Sequence, residues 1–196
     1  MTTTTPMAAL PAAGGDRPRN VIATGTALVC AGATTFFGAL MAAYVELRSH
    51  TSVWPPQGVK LDEYLGNMLV ITMLLGAFSV QWAVSAVKRG ENRQGVAALG
   101  ITMGFGVAFL NLLSYTISHQ HLSISRNAYT GVVGAMAVLV GIVVGLAIGL
   151  CLLTLLKVKG DQVSPAEPDL ARATAWFWHY ATLATIVVWF TVVVLK

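Results

Sequence analysis

Residues 129–156 read YTGVVGAMAVLVGIVVGLAIGLCLLTLL, with no Asp, Glu, Lys or Arg among them. An α-helix needs about 20 predominantly apolar residues to cross the hydrocarbon of a bilayer, and this stretch is longer than that. Four further runs share its character: 21–45, 65–87, 95–117 and 173–195. A spanning segment must satisfy every backbone N–H and C=O internally, which leaves helices and closed barrels. Runs this long, without alternation of polar and apolar residues, do not fit barrel strands. The expected fold is therefore all-α: a polytopic membrane protein of five transmembrane helices.

Composition agrees. The 196 residues are 56% hydrophobic and 10% charged, where a soluble domain carries about 25% charged residues. The mean hydropathy is +0.70 and the pI about 9.3. The net charge of +4 marks loops on the cytoplasmic side of a membrane, and no nucleic-acid partner. Arg17 and Arg19 precede the first run, Lys88, Arg89 and Arg93 follow the second, and Lys157, Lys159 and Arg172 follow the fourth. Only Arg48, Lys60, Arg126 and Lys196 fall on the other side. The positive-inside rule then predicts a cytoplasmic N-terminus and an external C-terminus. Residues 1–19, rich in Thr, Ala, Pro and Gly, read as a disordered N-terminal tail ahead of a single membrane domain over 20–196. Between the fourth and fifth runs, KVKGDQVSPAEPDLARA carries two prolines and mixed charge and reads as a flexible hinge.

Chemistry in a membrane needs ligands or ionisable groups at depth. His179, in AWFWHY, is the single histidine inside a run; His50 stands at the end of the first, and His119 and His121 lie in SHQHLS. A haem or metal site built from facing helices wants more than one such residue. The expected role of His179 is interfacial or helix-packing, near the cytoplasmic surface, with Trp176 and Trp178 as belt residues at its level. A metal or haem ligand is the competing role. Cys30 and Cys151 sit in apolar runs and read as small core residues. Asn67, Ser79, Gln81, Asn111 and Ser114 suit hydrogen bonds between helices. Gly141, Gly145 and Gly149 recur every four residues on one helix face, either a site of close approach or a run of small residues. No phosphate loop, Cys-x-x-Cys or His-Glu-x-x-His pattern occurs. A frame with no catalytic equipment points to an accessory subunit.

Four segments carry a resemblance. The first run contains AGATTFFGALMAAYVELR, with Phe36, Phe37 and Tyr44, and WPP follows at 54–56. The second loop and third run read AVKRGENRQGVAALGITMGFGVAF. The fourth begins NAYTGVVGAM, with Thr130 and Gly131, and the last holds Trp178, His179 and Tyr180. Together they resemble subunit III of the haem-copper oxidases, the cytochrome c oxidase subunit III family, over about residues 20–196. Five runs match its short form, which lacks the first two of seven helices. The chain departs from the family at polar positions. Ala33 stands where the family has an acidic residue, Ser114 where it has a glutamate before the tyrosine, Val133 and Met136 where it has two histidines, and Thr182 where it has an aspartate.

The resemblance implies a bundle split by a lipid cleft into two plus three helices, in a bacterial plasma membrane. It implies a non-catalytic accessory subunit of a terminal oxidase, packed with catalytic subunit I and subunit II and holding structural phospholipids. This chain would then bind no metal or other cofactor, the haem and copper lying in the partner. Phe36, Phe37, Tyr44, Thr130, Gly131, Trp178, His179 and Tyr180 would be packing, lipid or subunit contacts. Two alternatives remain at this point: a related component of a nitric oxide reductase or other respiratory complex, and a small transporter or channel.

Overall fold

A computed structural model describes residues 21–51, 54–56, 62–120, 127–163 and 168–194. The expected tail over 1–19, His121, and the basic residues Arg17, Arg19, Lys60, Arg126 and Lys196 lie outside the described residues. Five helices follow one another: α1 (Val21–Ser49), α2 (Glu63–Lys88), α3 (Asn92–His119), α4 (Ala128–Lys159) and α5 (Asp169–Trp189), the last continued by a π-helical turn, Phe190–Val194. All five are long and apolar enough to cross a membrane. No strand occurs among the described residues.

In α2 and α4 local signals set the helix ends. Asp62 caps α2 by accepting from the Tyr64 N–H. Asn127 and Thr130 form a reciprocal capping box at the start of α4, satisfying two amide donors that have no partner inside the helix. Lys88 closes α2, and Lys157 with Lys159 closes α4, where cations meet the negative end of the helix dipole.

Helices α2, α3, α4 and α5 close a ring, each packed on the next, and α1 lies against α4 and α5 on the outside. The division is therefore one plus four, not the two plus three expected. The reason is how α2 uses its surface. Gly66 and Gly76 press on Trp189 and Trp178 of α5, and Ser79 donates to the Ala98 carbonyl of α3. Its close-approach faces are thus committed to those two helices. Only 11% of the most apolar window of α1 is buried, against 50% for α2.

Candidate functional site

The centre of the ring is Trp178, fully buried. A Cβ built on Gly76 would stand 2.6 Å from its Cζ2, and one on Gly106 would stand 3.0 Å from its Cη2 and 2.6 Å from Ile148 Cγ1. Two glycines, one on α2 and one on α3, thus form the socket that admits the indole. Ordinary carbon contacts lie at about 3.5–4.0 Å, so no larger residue fits either position without displacement. The indole N–H has no acceptor among the described residues. Around it pack Met73, Val80, Phe109 and Val144. Below it the Thr154 and Thr174 hydroxyls meet at 2.7 Å across α4 and α5. Thr182 donates to the Trp178 carbonyl at 3.0 Å. Trp178 is therefore a core plug rather than a belt residue; Trp176, two positions earlier, is the one exposed.

The other signature residues divide between two places. Tyr44, Trp54 and Tyr129 meet near the C-terminal end of α1 and the N-terminal end of α4, with the edge-on Tyr44–Trp54 and Trp54–Tyr129 centroids 5.1 and 4.8 Å apart. The Trp54 indole donates to the Tyr44 hydroxyl at 3.1 Å. Tyr44 and Tyr129 are buried there with Met136 and Val192. Thr130 is buried in its cap and Gly131 half-buried beside it. Lower down, Phe37 is buried and Phe36 faces outward. Tyr180 reaches α1 by a 3.0 Å bond to Thr34.

His179 stands apart. Its side chain is exposed, with no hydrogen-bond partner among the described residues. Helices α2 and α5 run antiparallel, with Gly66 against Trp189 and Gly76 against Trp178. His179 is therefore level with Gly76, halfway along α2, and about 15 Å along α5 from Asp169. That corrects two expectations. The residue lies midway along the bundle rather than near one end of it, because α5 begins at Asp169, ahead of the apolar run. It also hydrogen-bonds to no described helix, whereas its neighbours Trp178 and Tyr180 meet the core and α1. The polar residues expected to bridge helices divide likewise. Ser79 does so, whereas Asn67, Gln81, Asn111 and Ser114 are exposed and their side chains bond to nothing described.

His50 pairs with Glu46 at 2.8 Å on the surface, and His119 stacks on Tyr115 with centroids 5.2 Å apart. Arg89, outside the spans, donates to Glu91 at 3.1 Å; that hydrogen bond holds its proton still more tightly. Cys30 and Cys151 are free. Among the described residues no three His, Cys, Asp or Glu side chains gather in a way that could hold a metal. Two empty spaces complete the picture. A cavity of about 90 Å³ sits toward the end of the ring where α2 begins, between Gly66, Phe109, Val140, Thr185 and Trp189. An apolar groove of about 700 Å³ opens between the N-terminal half of α1 and the C-terminal half of α4, bounded by Val21, Val29, Gly145, Gly149, Leu153 and Phe177. Of the three evenly spaced glycines of α4, only Gly141 meets a neighbour, Leu113 at 3.2 Å; Gly145 and Gly149 border the groove with nothing within 4 Å. The glycines that do seat another helix, Gly76 and Gly106, carry no periodic signal in the sequence.

Fold and site together define a class: an integral membrane protein built as a packed helical frame, its interior filled by Trp178 among aliphatic, methionine and phenylalanine side chains. The profile of the family "Cytochrome c oxidase subunit III" matches residues 21–195, and the chain belongs to that family, the accessory third subunits of haem-copper oxidases. It is 27% identical to a probable cytochrome c oxidase subunit 3 of Nocardia farcinica, over 87% of this chain and 86% of that protein. It is 22% identical to a probable cytochrome c oxidase subunit 3 of Mycobacterium tuberculosis, over 91% and 89%. The cytochrome c oxidase subunit 3 of Gallus gallus is 30% identical over 66% of this chain and 51% of its own length.

Proposed function

We propose that this chain packs against the catalytic subunit I of a haem-copper oxidase, with subunit II in the same complex, in a bacterial plasma membrane. It supplies no haem or copper ligand and stabilises the assembly. The groove between α1 and α4 takes phospholipid acyl chains, in place of the cleft expected between a two-helix and a three-helix part. The N-terminus faces the cytoplasm. In support, Lys88, Arg89, Arg93, Lys157, Lys159 and Arg172 gather at one end of the bundle and Arg48 stands at the other. The membrane domain spans 20–196, behind a disordered tail over 1–19.

The observation that carries the reading is the ring interior. The buried polar side chains among the described residues are serines and threonines alone. Several spend their hydroxyls on the carbonyl four residues back. Such an interior packs helices, and it offers a proton or an ion no relay. The signature residues are packing groups on this reading: Trp178 in the socket, Phe37 and Tyr180 between α1 and the ring, Tyr44, Thr130 and Gly131 at the outer end. Phe36 faces lipid.

A pull-down of the tagged chain from its native membrane in mild detergent tests this, read by absorbance spectrum and mass spectrometry together. Haem and a large multi-helix oxidase subunit should come with it. A colourless chain, alone, would overturn the reading. A different haem complex in the eluate would transfer the role to that complex.

A further inference from the structure

We propose that the outer wall formed by α5, α2 and α3 is where transmembrane helices of the haem-bearing partner seat, hydrogen-bonded to His179, Gln81 and Asn111, while α1 and α4 face lipid. The inference rests on the accessory-subunit reading for the partner's identity, and on the side chains for the face.

The three residues lie at three depths. Gln81 is two turns from the inner end of α2, His179 is midway along α5, and Asn111 is two turns from the outer end of α3. All three are exposed, and none bonds to a described residue. In water this would mean nothing. In hydrocarbon an imidazole or amide without a partner is costly, and such groups in known membrane proteins face protein or a water-filled cavity. Lipid tails offer no acceptor. An imidazole at mid-membrane is about 15 Å from either headgroup layer, given a hydrocarbon core of about 30 Å, far beyond its reach.

The opposite side of the molecule is different in kind. Helices α1 and α4 carry no Asn, Gln or His between Val21 and Tyr44 or between Thr130 and Leu156. On α1, Thr26, Thr34 and Thr35 return their hydroxyls to its own backbone. What these helices expose is Leu28, Phe36, Val138, Ile142, Leu146 and Leu153, a surface that lipid satisfies. On α3, by contrast, Gly100 and Gly104 share the outward face with Asn111, and a Cβ on either meets nothing within 4 Å. The backbone of α3 is open there to close approach by another helix, and Asn111 on the same face supplies a hydrogen bond for it.

The occupant is a protein helix bearing hydroxyl, carboxylate, amide or exposed carbonyl groups at matching depths. The test uses the full chain expressed in its own membrane. A photoreactive benzophenone amino acid replaces, one at a time, Phe78 of α2, Leu183 of α5 and Val107 of α3, and Leu28 of α1 and Leu153 of α4, all exposed. The first three should cross-link to the large haem subunit, and the last two to lipid. Protein cross-links from Leu28 and Leu153 with lipid alone at the other three would overturn the inference, as would cross-links from the wall to a second copy of this chain. Cross-links from the wall to a membrane protein that holds no haem would uphold the face and sink the oxidase reading. A second measurement tests the hydrogen bonds. Gln81→Leu, Asn111→Leu and His179→Leu combined should lower the haem protein recovered with the chain about tenfold at unchanged chain level. Undiminished recovery would count against them.

Discussion

Replacing Gly76 by alanine tests the central packing claim at the scale of one methyl group. The added Cβ would lie 2.6 Å from Trp178 Cζ2 and 2.9 Å from Cε2 and Nε1, about 1 Å inside normal contact. The obstacle is a rigid, fully buried ring rather than the far end of a flexible side chain. Overpacking of this kind costs about 1–3 kcal/mol. The alanine recovers at most about 1 kcal/mol of helix propensity, so at the middle of that range overlap wins and the net loss is about 1 kcal/mol. By soluble-domain scaling, where 1 kcal/mol moves Tm by roughly 2–4 °C at this chain length, the purified protein in detergent should unfold several degrees lower. Gly104→Ala, with nothing within 4 Å, is the control and should unfold at or above the parent temperature. Trp178→Phe removes the atoms that the new methyl strikes and also the unpartnered indole N–H. Gly76→Ala should therefore cost less in the Trp178→Phe background than alone. Equal unfolding temperatures for Gly76→Ala and Gly104→Ala, or strict additivity in that cycle, would refute the socket.

Four further outcomes are expected. Thr154→Val and Thr174→Val should each destabilise by about 0.6–1.7 kcal/mol in thermal unfolding. The double change should cost less than the sum, since both remove the same 2.7 Å contact. Tyr44→Phe removes the acceptor of the Trp54 indole and should cost about 0.5–1.5 kcal/mol, with a shift in tryptophan emission that Tyr64→Phe, at an exposed tyrosine, does not produce. In intact cells a membrane-impermeant maleimide should label Thr51→Cys and leave Arg93→Cys unlabelled; the reverse pattern would invert the topology. Met136→His would bury an imidazole at a fully enclosed site and should lower stability by about 1–3 kcal/mol, read as a drop in Tm beside a milder Met136→Leu.

The five helices were legible because each apolar run exceeds the bilayer thickness and no loop residue interrupts it. The orientation of each helix about its own axis was not. In α4 the residues are apolar all round, so periodicity does not say which face meets protein. Trp178 and His179 are adjacent, and on a helix they point about 100° apart; one plugs the core and the other faces out. The evenly spaced Gly141, Gly145 and Gly149 drew the eye, yet two of them border an open groove. Gly76 and Gly106 belong to different helices, and both are far in sequence from the ring they admit, so no local pattern announces them. The level of His179 along the bundle is hidden for a smaller reason. Residues 169–172 are polar enough to end an apolar run, and they are still helix.

Of the five polar positions at which the chain departs from the pattern it resembles, Ser114 is exposed and the other four lie within the packed frame. Val133 and Met136, where the pattern has histidines, are buried, and Met136 packs with Tyr44 and Tyr129. Ala33, at the acidic position, packs against the core. Thr182, at the aspartate position, spends its hydroxyl on the Trp178 carbonyl. A buried charge stripped of its partner is strongly destabilising, whereas replacing the whole set with packed apolar residues is often neutral or better. What polarity the spans retain as amides and imidazole has ended up outside the ring, on one wall. That distribution fits a protein whose interior only has to hold its shape, and whose specificity lies in what docks against it.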